Sequence, residues 1–205
     1  MITIRLTQSI FDIQKSINAA IAKELNRIIR RRKHVILGKL KKATYGWIAS
    51  TDEIASLTSP RARELKTYFG LTNSGASVEA IIESIVESIT VNVQPFDKNL
   101  KGSVTFNFQP ENNQNLLSLS EGHQVTEKGT DLHWLDWLLT RGDAVIITGY
   151  RYSTEKRGRA GVGIMEAGGT FRVDPRYSGL IGDNFVSRAF LDKNEQIVKI
   201  IEEAL

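Results

Sequence analysis

From Ser9 onward the apolar positions fall into a helical rhythm. Ile10, Ile13, Ile17, Ala20, Ile21, Leu25, Ile28 and Ile29 recur at three- and four-residue spacing, which lays one apolar stripe along a long helix. Thr7 or Ser9 is positioned to cap it. Before it, residues 2–6 alternate apolar and polar side chains and predict a short edge strand. Neither proline nor glycine interrupts the helical stretch until Gly38, and the pattern reaches toward Trp47. A helix of about 25–30 residues spans roughly 40 Å. That is longer than a core helix needs, so residues 1–50 read as a strand and a helical arm that packs against a neighbour. Residues 51–205 then form an α+β core domain.

Within that core, Ser59-Pro60 followed by a helical run to Gly70 predicts a compact helix with Ser59 as cap and Gly70 as stop. Ser77 opens a further helix with Val78, Ile81, Ile82, Ile85 and Ile89 along one side. Strand alternation follows at Ile89, Val91 and Val93. After a connection at Pro95–Gly102 it returns at Val104, Phe106 and Phe108. Residues 109–114 read as a loop and 116–125 as another short strand. Asp131–Thr140 predicts a helix anchored by Leu132, Trp134, Leu135, Leu138 and Leu139, broken at Arg141-Gly142-Asp143. Residues 144–150 form the most strand-like run, residues 151–163 an exposed mobile hairpin tip, and Gly163 onward the return strand. Residues 169–190 are too rich in aromatic and charged side chains to be a plain linker. They carry a strand at Thr170–Val173, a loop with Pro175, Gly179 and Gly182, and Asp183 or Asn184 as cap of a closing helix over 185–205.

The totals fit a soluble globular chain: 205 residues, 41% hydrophobic and 24% charged, with a modest net charge of +4. Zero cysteines remove disulfides, thiolate catalysis and cysteine-based zinc sites together. No run is apolar enough for a signal peptide or a membrane span, which predicts a cytosolic-type protein. The charge is unevenly placed. Arg27, Arg30, Arg31, Arg32 and Lys33, followed by Lys39, Lys41 and Lys42, crowd the expected end of the long helix, where its dipole favours cations. That cluster reads as a solvated face, as a contact for nucleic-acid phosphates or an acidic partner, or, at the far end, as a localisation signal. Lys156, Arg157 and Arg159 mark the hairpin tip. Arg172, Arg176 and Arg188 flank the aromatic loop and suit either ordinary surface charge or bidentate pairing with acidic groups of a neighbouring subunit.

Catalytic chemistry finds little purchase. The three histidines are His34, His123 and His133. Asp131 and His133 would lie on different faces of the helix expected there, and His133 with Asp136 makes only two metal ligands. No nucleophile elbow accompanies a Ser–His–Asp set, and the glycines at 158, 161 and 163 lack the spacing of a phosphate-cradling loop. The reading is therefore non-enzymatic, with no catalytic residue, cofactor or metal assigned. Trp134, Trp137 and Tyr177 are the expected subunit-contact anchors, because aromatic side chains offer large contact area at low entropic cost.

One family resemblance emerges from these residues. The order Leu135-Asp136-Trp137-Leu138-Leu139, Gly142, a hydrophobic strand, a Gly/Arg loop with Met165, Thr170-Phe171-Arg172-Val173 with Pro175, and Asn184-Phe185-Val186-Ser187-Arg188-Ala189 resembles the neck proteins of tailed bacteriophages, in particular tail-completion proteins. The helix ending near Leu71 and the Ile/Val-rich helix and strand after it are similar to the same group, so the likeness spans roughly residues 50–205. It implies a structural virion protein of α+β fold, a homo-oligomeric ring of commonly six copies, assembled in the host cytoplasm. Such a ring joins the head connector to the tail around the DNA channel, with the head-connector and tail proteins as partners and packaged DNA within reach. A tail-terminator ring, or a nucleic-acid-binding module built on the basic helix, are the alternatives.

Overall fold

The computed structural model describes residues 8–110, 112–126 and 129–205. The strand expected at residues 2–6, and Thr7 as a cap, lie outside the described residues. The architecture is α+β: helices, three two-stranded antiparallel sheets, then two closing helices.

Helix α1, Ile10–Ala49, runs for 40 residues, about 60 Å at 1.5 Å per residue. Ser9 is its N-cap, its hydroxyl accepting the Asp12 amide at 3.2 Å. The helix exceeds the roughly 25–30 residues expected and ends just past Trp47, the point the apolar pattern reached toward. Gly38 and Gly46 each cost about 1 kcal/mol relative to alanine in a helix interior, yet the half that contains them is held by tertiary packing through Ile36, Leu40, Thr44 and Ile48. The cations 27–42 therefore lie mid-helix. The last turn carries no basic residue, so the expected dipole stabilisation does not apply.

Helix α2, Asp52–Thr58, was not foreseen. Thr51 caps it, and Asp52 and Glu53 complement the dipole of its first turn. Ser59 closes α2 rather than opening the next helix. The chain turns through Arg63 at φ 62°, and α3, Leu65–Phe69, begins after Glu64 and stops at Gly70, whose φ of 66° suits a glycine C-cap. Helix α4, Ser74–Glu87, starts three residues before Ser77 and buries Val78, Ile81, Ile82 and Ile85 as its stripe demands.

Strands β1, Thr90–Gln94, and β2, Ser103–Asn107, pair antiparallel with Val91 opposite Phe106 and Val93 opposite Val104. Their connection is shaped by Asp97, whose carboxylate accepts the amides of Asn99 and Lys101. Those bonds hold the Asp97 carboxyl below its usual value. The Asn26 side chain of α1 grips the same connection, accepting from the Phe96 amide at 2.8 Å and donating to the Phe96 carbonyl at 2.9 Å. The strand expected at 116–125 is instead helix α5, Gln114–Leu117, a 3-10 turn at Ser120–Gly122, and the two-residue β3, Gln124–Val125, paired with β4, Asp131–Leu132. Helix α6 is Trp134–Leu139, so Asp131 and His133 precede it.

Strands β5, Ile147–Gly158, and β6, Gly161–Phe171, form one long hairpin. Pairing of Gly158 with Gly161 leaves Arg159 and Ala160 as the whole tip, so the expected loop at 151–163 is mostly strand. A register shift sits between Thr148 and Tyr150, where Gly149 takes φ 82°. Asn184 caps α7, Phe185–Phe190, in a capping box with Ser187. The single closing helix of the sequence reading is two: Asp192 at φ 59° breaks it, and α8, Asn194–Glu202, follows. The break turns Phe190 toward Trp47 and Phe108, while α8 lies along α1.

The main core joins α2, α3, α4 and α6 with Val173, Tyr177 and Phe185. A smaller cluster gathers Ile36, Leu40 and Ala204 under Phe106, Phe108, Ile197, Ile200 and Ile201. No described helix is long and apolar enough to cross a membrane.

Candidate assembly surface

The apolar stripe that announces α1 is not the face the molecule buries. At about 100° per residue, Ile10, Ile17, Ile21 and Ile28 fall within about 40° of one another, whereas Ala22, Ile36 and Leu40 centre about 100° further round. The second face is covered by the β1–β2 connection at Asn26 and by α8. The first stays open: Ile10 is 79% exposed and Ile17 54%, with Ile21 and, at its edge, Leu25 also exposed; Phe11, in line with the second face but beyond its packed part, is 74% exposed. Residues 10–21 carry no buried side chain at all and project as an arm beyond the first packed residue, Ala22.

Where this stripe ends, the charge begins. Arg27 is paired with Glu24 one turn away, its Nε donating at 2.8 Å. Arg30, Arg31, Arg32 and Lys33 make no ion pair among the described residues, and the three arginines are exposed. Four consecutive helical residues fan round the whole circumference. The quartet is a charged collar, not a one-sided groove lining.

The hairpin behaves in the opposite way. Its tip lies against the α2–α3 turn: the Val162 amide donates to the Pro60 carbonyl at 3.2 Å, Arg159 Nε donates to the Gly70 carbonyl at 3.1 Å, and Ala160 is buried. Tyr152 locks the approach by donating to the Val162 carbonyl and stacking edge-on against Tyr68. Lys156 and Arg151 lie 3.5 and 3.9 Å from Glu166 on the facing strand, and Arg157 is exposed opposite Val162 and Gly163. The expectation of a mobile tip is thus corrected, since backbone and side-chain hydrogen bonds hold it to the body.

The aromatic loop takes its acidic partners from its own chain. Arg188 bridges Glu53 at 2.9 Å and Asp183 at 3.7 Å; Arg172 faces Asp143 at 3.6 Å. Arg176 lies over the Tyr177 ring, donates to the Arg63 carbonyl, and sits 3.6 Å from Asp174. Behind it the Glu64 carboxylate accepts from Ser56 and, at 2.6 Å, from the Tyr177 hydroxyl. Burial opposes ionisation there, but those two hydrogen bonds together with Arg176 and Arg61 outweigh it and hold Glu64 below its usual range. Burial pushes the Glu53 carboxyl up, with Arg188 only partly offsetting it.

Two of the three expected contact anchors are core residues. Trp134 is fully buried against Phe69, and Tyr177 is buried with its hydroxyl committed to Glu64. Bulk and aromaticity suit a core as well as an interface. Trp137 alone is partly exposed, with the Arg141 guanidinium 5.8 Å from its ring. His123 and His133 stack at 4.0 Å, and His123 Nδ1 is 2.9 Å from Asp131. Burial, then the neighbouring His123 ring, push His133 down. Among the described residues no group of three or more His, Asp or Glu side chains is arranged to hold a metal ion.

Further exposed apolar residues near the C-terminus escaped the sequence reading. Val198 of α8 is 52% exposed, and Leu191 and Leu205, before and after that helix, are 64% and 53% exposed. Comparison with protein-family models, curated proteins and solved structures finds no match.

Proposed function

We propose that this chain is a non-enzymatic structural building block, a tail-completion-type component of a tailed-phage neck that assembles as a ring between head connector and tail around the DNA channel. The observation that carries the reading is the uncovered stripe Ile10–Leu25 on an arm that protrudes from a well-packed body. An isolated helix of about a dozen residues is marginal in water, and an exposed apolar row of this length marks a contact surface. The motif order from Leu135 to Ala189, similar to that of neck proteins, supplies the particular assembly. When two different surfaces of one subunit meet, a ring forms where the rotation closes, and a tail-completion role requires that closure.

Light scattering and negative-stain imaging of the purified protein at high micromolar concentration test this. Closed rings, or ring formation on adding a connector or tail protein, are expected. A monomer under both conditions contradicts the reading. The unpaired Arg30–Lys33 collar supports a second one, contact with DNA. It predicts binding to duplex DNA that weakens steeply with salt and is lost on charge reversal of the collar.

A further inference from the structure

Two of the three histidines, His123 and His133, flank the β3–β4 hairpin, one before β3 and one after β4. The strands pair only Gln124 with Leu132 and Val125 with Asp131. The two imidazoles sit one step further down the same ladder, stacked at 4.0 Å with 13° between their planes. His123 Nδ1 also donates to the Asp131 carboxylate at 2.9 Å. An isolated two-stranded hairpin is marginal in water, so contacts at its base decide whether this one stays closed. We infer that the His123–His133 stack is an acid-released clasp: it closes the base of the β3–β4 hairpin while His133 is neutral, and a proton taken up by His133 unzips the hairpin. The clasp acts within one chain and is independent of the assembly reading.

The surroundings make that proton costly. His133 Nε2 is buried without a hydrogen-bond partner. An imidazolium carries a hydrogen on both nitrogens, so charging this ring buries an N–H that has no acceptor, whichever tautomer the neutral ring adopts. The acidic groups nearby are already engaged. Asp131 on β4 accepts from His123, and Asp136 on α6 accepts from Thr140 and Arg141. Glu121, in the 3-10 turn packed against α6, accepts from Ser120. Helix α5, which also packs on α6, carries no titratable side chain, and Arg141 adds a further positive charge. Burial first, and His123 second, hold His133 below its ordinary value of 6.5, against the pull of Asp136 and Asp131. The closed hairpin therefore takes up a proton less readily than the open one. Its advantage is complete above 6.5 and is lost as pH falls from there toward the folded value.

Amide hydrogen exchange of the full chain, corrected for intrinsic rates, tests the clasp. The readout is the Thr126 and Gly129 amides, which donate to the Thr130 and Thr126 carbonyls, with Ile82 and Ile85 of α4 as reference. Between about pH 7.5 and about pH 5 the hairpin amides are expected to lose protection by about threefold to thirtyfold, the upper figure being the ceiling for one proton over roughly 1.5 pH units. The α4 amides keep theirs. His133→Phe keeps a flat ring against His123 but takes no proton, and is expected to abolish the loss. Unchanged protection in the native protein, or a parallel loss in α4, overturns the clasp. An equal loss in His133→Phe also overturns it, by assigning the release to another group. Should that variant lack native circular dichroism, magnetic resonance titration of the native histidines decides. The His133 ring and the hairpin amides must then change with one midpoint below 6.5; separate midpoints overturn the proposal.

Discussion

Two elements project from the body of this protein, and they do so on opposite terms. The β5–β6 hairpin is rich in glycine and charge, yet its tip is bound to the Pro60 carbonyl, the Gly70 carbonyl and a buried Ala160. The N-terminal arm is rich in isoleucine, yet among the described residues its apolar row is left largely exposed. Composition alone would assign the mobile role to the first and the packed role to the second. The difference teaches that a hydrophobic stripe does not by itself tell which face a helix buries, and that a polar hairpin is fixed when its backbone groups find carbonyl partners.

Mutation of the two regions separates burial from exposure most sharply. Trp134→Ala in the core is expected to cost about 3–5 kcal/mol, read as a fall in the chemical denaturation midpoint. Trp134→Phe costs less, because the buried indole N–H has no hydrogen-bond partner to lose. Ile17→Ala in the arm changes the stability of the unassembled chain by under about 0.5 kcal/mol; a loss comparable to that of Trp134→Ala would mean the arm is packed after all.

The hairpin clamp comes next. A Cβ on Gly161 would lie 2.3 Å from the Pro60 carbonyl oxygen, at a φ of 141°. Gly161→Ala is expected to undock the tip and cost about 1–3 kcal/mol, with faster amide exchange confined to residues 159–163. Unchanged exchange there would remove the clamp from the account.

Smaller still is the acid response of the aromatic loop. Glu64 ionises below its ordinary value of 4.5 in the fold, so its stabilisation is present above that value and is lost as pH falls through the folded one. Glu53, raised by burial, acts in the opposite sense and costs stability as pH rises from its unfolded value. Glu64→Gln should lower stability by about 1–2 kcal/mol at neutral pH and flatten the acid limb in denaturation midpoints measured against pH. An equally steep limb would exclude Glu64 as its source. Least of all, reversing the charges of Arg30–Lys33 should move thermal stability by no more than about 0.5 kcal/mol, since none of the four holds an ion pair among the described residues. A larger loss in a melting curve would show that the collar is structural.

Sequence reasoning served best where one local rule acts alone. The α4 stripe, the Trp134–Leu139 anchors, the Gly70 stop and the Asn184 cap all follow from periodicity or capping chemistry. It served worst where a distant group decides. Glu64 opens α3 without giving it a side-chain cap, because Ser56 and Tyr177 occupy its carboxylate. The closing helix breaks at Asp192 so that Phe190 and α8 meet different parts of α1. Trp134 and Tyr177 read as contact anchors because an aromatic side chain carries no mark of which surface receives it. The arm stripe was fully visible, but its exposure depended on a second, weaker face at Ala22, Asn26, Ile36 and Leu40 taking the internal contacts.

The most direct test of the central claim compares the mass of the native protein with that of an Ile17→Asp, Ile21→Asp variant by light scattering, at matched helicity. The account predicts a closed oligomer for the native chain and a monomer of equal thermal stability for the variant. Equal masses for the two proteins would contradict it.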